Sequence, residues 1–122
     1  MTPQSGTWIG TLLNLSNGRT ATVNANLQAD NHGGLTGNFT AGLSATEIAT
    51  GPFTSGSYTQ AGEIHLQAQL QNGTPANFDG HFESNNTSGF AWGTITSRLG
   101  NANLVLLFVP VHGPVSDHVY GD

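Results

Sequence analysis

The chain has 122 residues, 36% apolar and only 7% charged, with a formal net charge of −5 from two cations and seven acids. One domain with a single core is the expectation at this length, and two cations cannot neutralise a run of phosphates, which excludes nucleic acid and anionic membrane surfaces as partners. Lysine and cysteine are both absent, so disulfides, thiolate metal sites and cysteine nucleophiles are excluded too.

No window carries helical periodicity, whereas apolar–polar alternation with period two recurs along the chain. Eight strands are predicted, over 6–15, 20–28, 35–41, 47–58, 63–71, 75–83, 88–97 and 103–110. The turns between them, SNGR, DNHGG, TQAG, QNGT, SNNTS and RLGNA, are rich in Gly and Asn, which accept positive φ at little cost. Such short links predict a meander. Eight antiparallel strands with one apolar face close into an up-and-down barrel that leaves no edge. The expected fold is therefore all-β: an eight-stranded antiparallel up-and-down β-barrel, calycin-like, over residues 1–110. Residues 111–122 form a tail, expected as a lid or an interface strap.

The strands divide by face. In the first, Trp8, Gly10 and Leu12 point inward and Ile9, Leu13 and Leu15 outward. The second and third contribute Ala21, Val23, Ala25 and Leu27, then Leu35, Gly37, Phe39 and Ala41. Phe53 and Tyr58 come from the fourth. Across the fifth and sixth, Leu70 is expected opposite Ala76 and Ala68 opposite Phe78, joined by a three-residue loop around Asn72-Gly73. The same register sets His65 opposite His81 on the outer face, where the pair would share a divalent metal, tune an interface with pH, or stand solvated. No metal site is assigned to it, nor to the looser set His112, Asp117 and His118. On the seventh strand bulk favours Phe90 and Trp92 inside, leaving Ala91, Gly93 and Ile95 outside. The eighth, NLVLLFVP, is apolar on both faces: one set fills the barrel and the other looks out. An outer patch of Ile9, Leu13, Ile95, Val105 and Leu107 on strands seven, eight and one is too large to leave wet, so it is read as a homo-oligomer interface, with the tail 111–122 folding back to cover it as the plainer alternative.

The words GTW, LTGNF and AWGTITS resemble the avidin and streptavidin barrel, an eight-stranded meander that assembles as a tetramer. The resemblance implies that Trp8, Asn14 and Trp92 sit where that family's pocket residues would. The chain departs from the pattern elsewhere: Gly10, Phe39 and Ala41 stand where the family has Asn, Tyr and Ser, and strands five and eight lack its Trp. The wider class of calycin-like ligand barrels describes it better than a biotin site does.

A small barrel holds its ligand in the mouth. In a meander the links after odd strands share one end, and that end collects Arg19, Arg98 and Glu47. Two cations there suit a carboxylate or another small anion, with two solvated turn arginines as the plainer reading. Glu47, at an apolar rim, is a candidate general base, with an exposed loop Glu as the plainer reading. The expected function is the binding of a mostly apolar small molecule, with a carboxylate or carbonyl, by Trp8, Asn14, Phe39, Phe53 and Tyr58. Phe78, Phe90, Trp92, Arg19 and Arg98 complete the set. Two alternatives stand beside it: a cofactor-free cyclase or isomerase using Glu47 on a flexible substrate, and an interaction module whose core is filled. No cofactor is expected. Sequons at Asn14, Asn38, Asn72, Asn85 and Asn86 are attributed to an Asn- and Thr-rich composition. The start MTPQSGTW carries no leader pattern and the apolar run 104–109 is too short to span a bilayer, so a soluble chain is expected, cytoplasmic or trimmed from a secreted precursor.

Overall fold

Period-two alternation decides which side of each strand is buried, and eight such strands in succession close on themselves. The computed structural model describes residues 1–42, 48–70, 73–98 and 100–110. The strands are β1 (Gly6–Asn14), β2 (Thr20–Ala29), β3 (Leu35–Gly42), β4 (Ile48–Tyr58), β5 (Glu63–Gln69), β6 (Pro75–Ser84), β7 (Gly89–Ser97) and β8 (Gly100–Val109). Each pairs antiparallel with the next, and β8 returns to β1 to complete a closed barrel. Closure runs through Trp8 opposite Phe108 and Leu12 opposite Leu104. Glu47 and the tail 111–122 lie outside the described residues.

On β2 the pattern is unbroken: Ala21, Val23, Ala25 and Leu27 are buried while Thr22, Asn24, Asn26 and Gln28 are exposed. Each large apolar side chain taken fully out of water contributes about 1.5–3 kcal/mol, and a one-residue slip would expose the whole set. The outward residues of β2, β3, β5 and β6 are predominantly Thr, Asn, Gln, His, Asp and Glu. The barrel thus lacks the all-round apolar girdle that a membrane barrel presents to lipid. No helix among the described residues is long and apolar enough to cross a membrane.

One end is packed shut. Trp8, Leu27, Ile64 and Phe82 are almost fully buried there. Trp8 meets Phe108 edge-on at 5.6 Å, and Tyr58 meets Phe82 likewise at 6.0 Å. The N-terminal arm lies over this end: the Trp8 Nε1–H donates to the Gln4 carbonyl at 3.0 Å, and the Ala29 N–H donates to Ser5 Oγ. The Tyr58 hydroxyl donates to the Asp30 carbonyl at 2.5 Å, tying β4 to the β2–β3 turn. In that turn the Asp30 carboxylate accepts N–H groups from His32 and Gly34. Those donors, Gly34 foremost, hold its carboxyl below the usual carboxylate range.

Three expectations about register and facing are corrected. The pairing of β5 with β6 sets Ala68 opposite Ala76 and Leu66 opposite Phe78, not Ala68 opposite Phe78. The Leu70 N–H donates to the Thr74 carbonyl, and the Gly73 N–H to the Leu70 carbonyl, so Leu70 stands across from Thr74, two residues before the expected Ala76. Gly73 has φ +81°, the left-handed residue such a loop requires. The shift changes partners by two residues and keeps every face, but it separates the histidines: His65 now opposes Asp79, and His81 opposes Glu63. On β7 the faces are the reverse of those expected. Ala91 is fully buried and Ile95 packs on the core, while Phe90 is exposed and stacks on Trp92 outside. The reason is space: a β-carbon at Gly89 would lie 2.7 Å from the Trp8 ring, so the inner face of β7 must be small where Trp8 already fills the barrel. On β4 a bulge between Phe53 and Ser55 lets Phe53 and Tyr58 share the inner face despite odd spacing.

Candidate ligand-binding site

The opposite end is not filled. A cavity of about 220 Å³ opens where β1, β3, β5 and β7 finish. Its size follows from side chains the strands withhold: Ala25, Ala41, Ala49, Ala68, Ala76 and Ala102 all line it. Phe39 and Phe53, stacked at 5.4 Å, and Phe78 form an aromatic wall. An engineered apolar cavity of about 150 Å³ stays dry and admits benzene, so this one has room for a larger apolar group. The reading of a filled core does not survive it. Glycines contribute differently from the expectation. A β-carbon at Gly10, Gly37 or Gly80 would lie 1.6, 1.8 or 2.2 Å from a backbone oxygen of the neighbouring strand. They permit close strand approach in a tightly coiled barrel and leave no space for a ligand.

Polar groups gather at the rim, where Asn14, Ser97 and Asn101 line the cavity. Asn14 Oδ1 accepts the Ser16 N–H at 2.8 Å. Asn14 also pairs across the hairpin with Arg19, its N–H donating to the Arg19 carbonyl at 2.8 Å. Directly opposed residues share a face. Arg19 thus lies across from Asn14 just outside β2, with its side chain exposed.

Arg98 follows Ser97 in the β7–β8 turn, and this turn touches the β1–β2 turn. There the Leu15 N–H donates to the Asn101 carbonyl at 2.9 Å, and a β-carbon at Gly100 would meet Ser16 Oγ at 2.7 Å. Both cations thus stand on adjoining turns at the mouth, both exposed. Among the described residues the acids lie elsewhere: Asp30, Glu63 and Glu83 at the closed end, and Asp79 midway along β6. Sequence parity alone identified the end, because alternate links of a meander must share it.

Of the expected site residues, Asn14, Phe39, Phe53 and Phe78 come together around the cavity. Trp8 and Tyr58 are inside the barrel but in its closed end, with their polar atoms already bonded to backbone. Phe90 and Trp92 are outside it. Glu47 lies outside the described residues. Ile95, expected outward, lines the cavity instead. Ala49, Ala76 and Ala102 were missed, although alanine recurring at inward positions of alternating strands is their signal.

On the outer surface His65 Nδ1 and Asp79 Oδ1 lie 2.6 Å apart, both side chains about half exposed or more. An exposed pair of this kind contributes little to stability. No group of three metal-ligating side chains occurs among the described residues.

No family model matches the sequence, and no curated protein does. Among solved structures the chain is similar to a redesigned β-barrel, with a TM-score of 0.67 at 15% identity, covering 88% of this chain and 91% of that one. It is also similar to a de novo designed fluorescence-activating β-barrel, with a TM-score of 0.59 at 16% identity, covering 85% and 91%. Both likenesses concern the eight-stranded barrel, and neither supports the avidin family in particular.

Proposed function

We propose that this barrel binds a small amphipathic molecule end-on, its apolar part in the cavity and a carboxylate at the mouth. One observation carries the reading: an alanine-walled, apolar cavity opens beside the chain's only two cations, in a chain whose net charge is −5. Burial of the apolar part supplies affinity at roughly 25 cal/mol per Å². Arg19, Arg98 and the Asn14 amide supply orientation through charge-assisted hydrogen bonds. The likeness to a fluorescence-activating barrel accords with small-molecule binding. Biotin is not the proposed ligand, because Gly10, Phe39 and Ala41 replace the family's polar groups and Trp8 is spent on the closed end.

The test compares decanoate with decanol by isothermal titration calorimetry. Decanoate should bind in the micromolar range and about tenfold more tightly than the alcohol, the sum of two exposed charge contacts at up to about 1 kcal/mol each. Arg19→Gln combined with Arg98→Gln should erase that preference and leave decanol unchanged. Ala68→Phe, which projects a ring into the cavity, should weaken both ligands more than tenfold with the fold intact by circular dichroism. Failure of both ligands to bind would overturn the reading.

A further inference from the structure

The two sides of the open cavity differ in chemistry. On one, Phe39 of β3 and Phe53 of β4 stack at 5.4 Å with their planes 26° apart. In a closed ring of eight strands the wall across the bore is β7 and β8, and there Ile95, Ala102 and Leu104 line the same space. The cross-strand partners of the two rings are small: Ala25 and Gly51 beside Phe39, Ala68 beside Phe53. Both rings line the cavity yet are only half-buried, unlike Phe78 at 5% exposure. Ring surface left uncovered inside a barrel is surface for a guest.

We infer that the apolar part of the ligand is a flat, bicyclic aromatic group, which makes the guest an aryl carboxylate. This rests on the end-on carboxylate reading above and narrows its ligand class. Volume sets the ring count: about 220 Å³ is roughly one and a half times the 150 Å³ that admits benzene, the step from one ring to two fused rings. Width sets the shape. The bore of an eight-stranded barrel is scarcely wider than its own side chains, so a guest between the phenylalanine wall and the aliphatic wall fits as a slab.

A ring laid offset or edge-on against Phe39 or Phe53 gains more than its buried area, an increment that an alkyl chain does not receive. A rigid guest also loses no rotamers on entry, whereas a chain packed to the same depth must order each of its bonds. A carboxylate on the outer ring then meets the rim, where Arg19 and Arg98 stand.

Isothermal titration calorimetry with naphthoate and decahydronaphthoate isolates the ring contribution, because the two share a carbon skeleton and a charge. Naphthoate should bind about fivefold more tightly, although it is the less apolar of the pair. Its proton resonances should move upfield on binding, the ring-current signature of a stacked face. Phe39→Leu and Phe53→Leu, tested singly, should each reduce the preference and the upfield shift while decahydronaphthoate keeps its affinity. If both acids bind and naphthoate has no advantage, or if its advantage survives both substitutions, the aromatic assignment is overturned and the end-on carboxylate reading stands. Decanoate binding without either bicyclic acid has the same meaning. Failure of decanoate, naphthoate and decahydronaphthoate together overturns the site itself.

Discussion

Trp8→Ala should destabilise the barrel by about 3–5 kcal/mol, the range for removing a large aromatic from a packed interior. Trp8 has no exposed surface and is the largest of the fully buried side chains. It fills the space that Gly89 leaves open, packs on Phe108 and anchors the N-terminal arm through its Nε1–H. Truncation would create a cavity lined partly by strand backbone, which cannot collapse to refill it. A small domain has only about 5–15 kcal/mol to lose, so the variant should be marginal at room temperature. Urea denaturation followed by far-UV circular dichroism measures it. A loss under about 1 kcal/mol would mean that the closed end is not packed as described.

Gly10→Ala should cost about 3 kcal/mol or prevent folding, at or above the upper end for overpacked sites. A β-carbon there would lie 1.6 Å from the Val105 carbonyl oxygen, 2.7 Å from its carbon and 2.9 Å from the Leu106 Cα. All three are backbone, so no side-chain rotation relieves the clash. Gly10 opposes Leu106 in the pairing that closes the barrel, and one methyl group must therefore pry β1 from β8. Gly42→Ala is the control: it has nothing within 4 Å of the added carbon, and its change should stay within about 0.5 kcal/mol. Thermal melts of the two variants side by side read the contrast, and equal melting temperatures would refute the close approach of β1 and β8.

The candidate site was partly legible. Phe39 and Phe78 sat at inward positions of strands whose alternation is clean, and the structure brings them to one cavity with Phe53 of the bulged β4. Arg19 and Arg98 were assigned to one end by counting turns, and they stand at the open one. Trp8 and Tyr58 were correctly placed inside but at the wrong end, because facing is a property of one strand whereas depth along the axis depends on the neighbours' stagger. Phe90 and Trp92 were misplaced for a related reason. Bulk was taken to prefer the interior, yet the volume opposite β7 was already occupied by Trp8 and Phe108. Both faces of β7 were chemically plausible, and only the partner's side chains chose between them.

The sequence by itself determined the strand count, the meander order, the inward set of β2, β5 and β6, and the end of the barrel where the cations gather. These follow from period-two burial and from turn chemistry, both local properties of the chain. Only the tertiary structure decided the hairpin register that parted His65 from His81, the bulge that aligned Phe53 with Tyr58, and the reversal of β7. It also decided which half of the interior is packed and which half is open. Those features depend on how volumes from strands distant in sequence add up around a closed ring, and no single strand carries that sum.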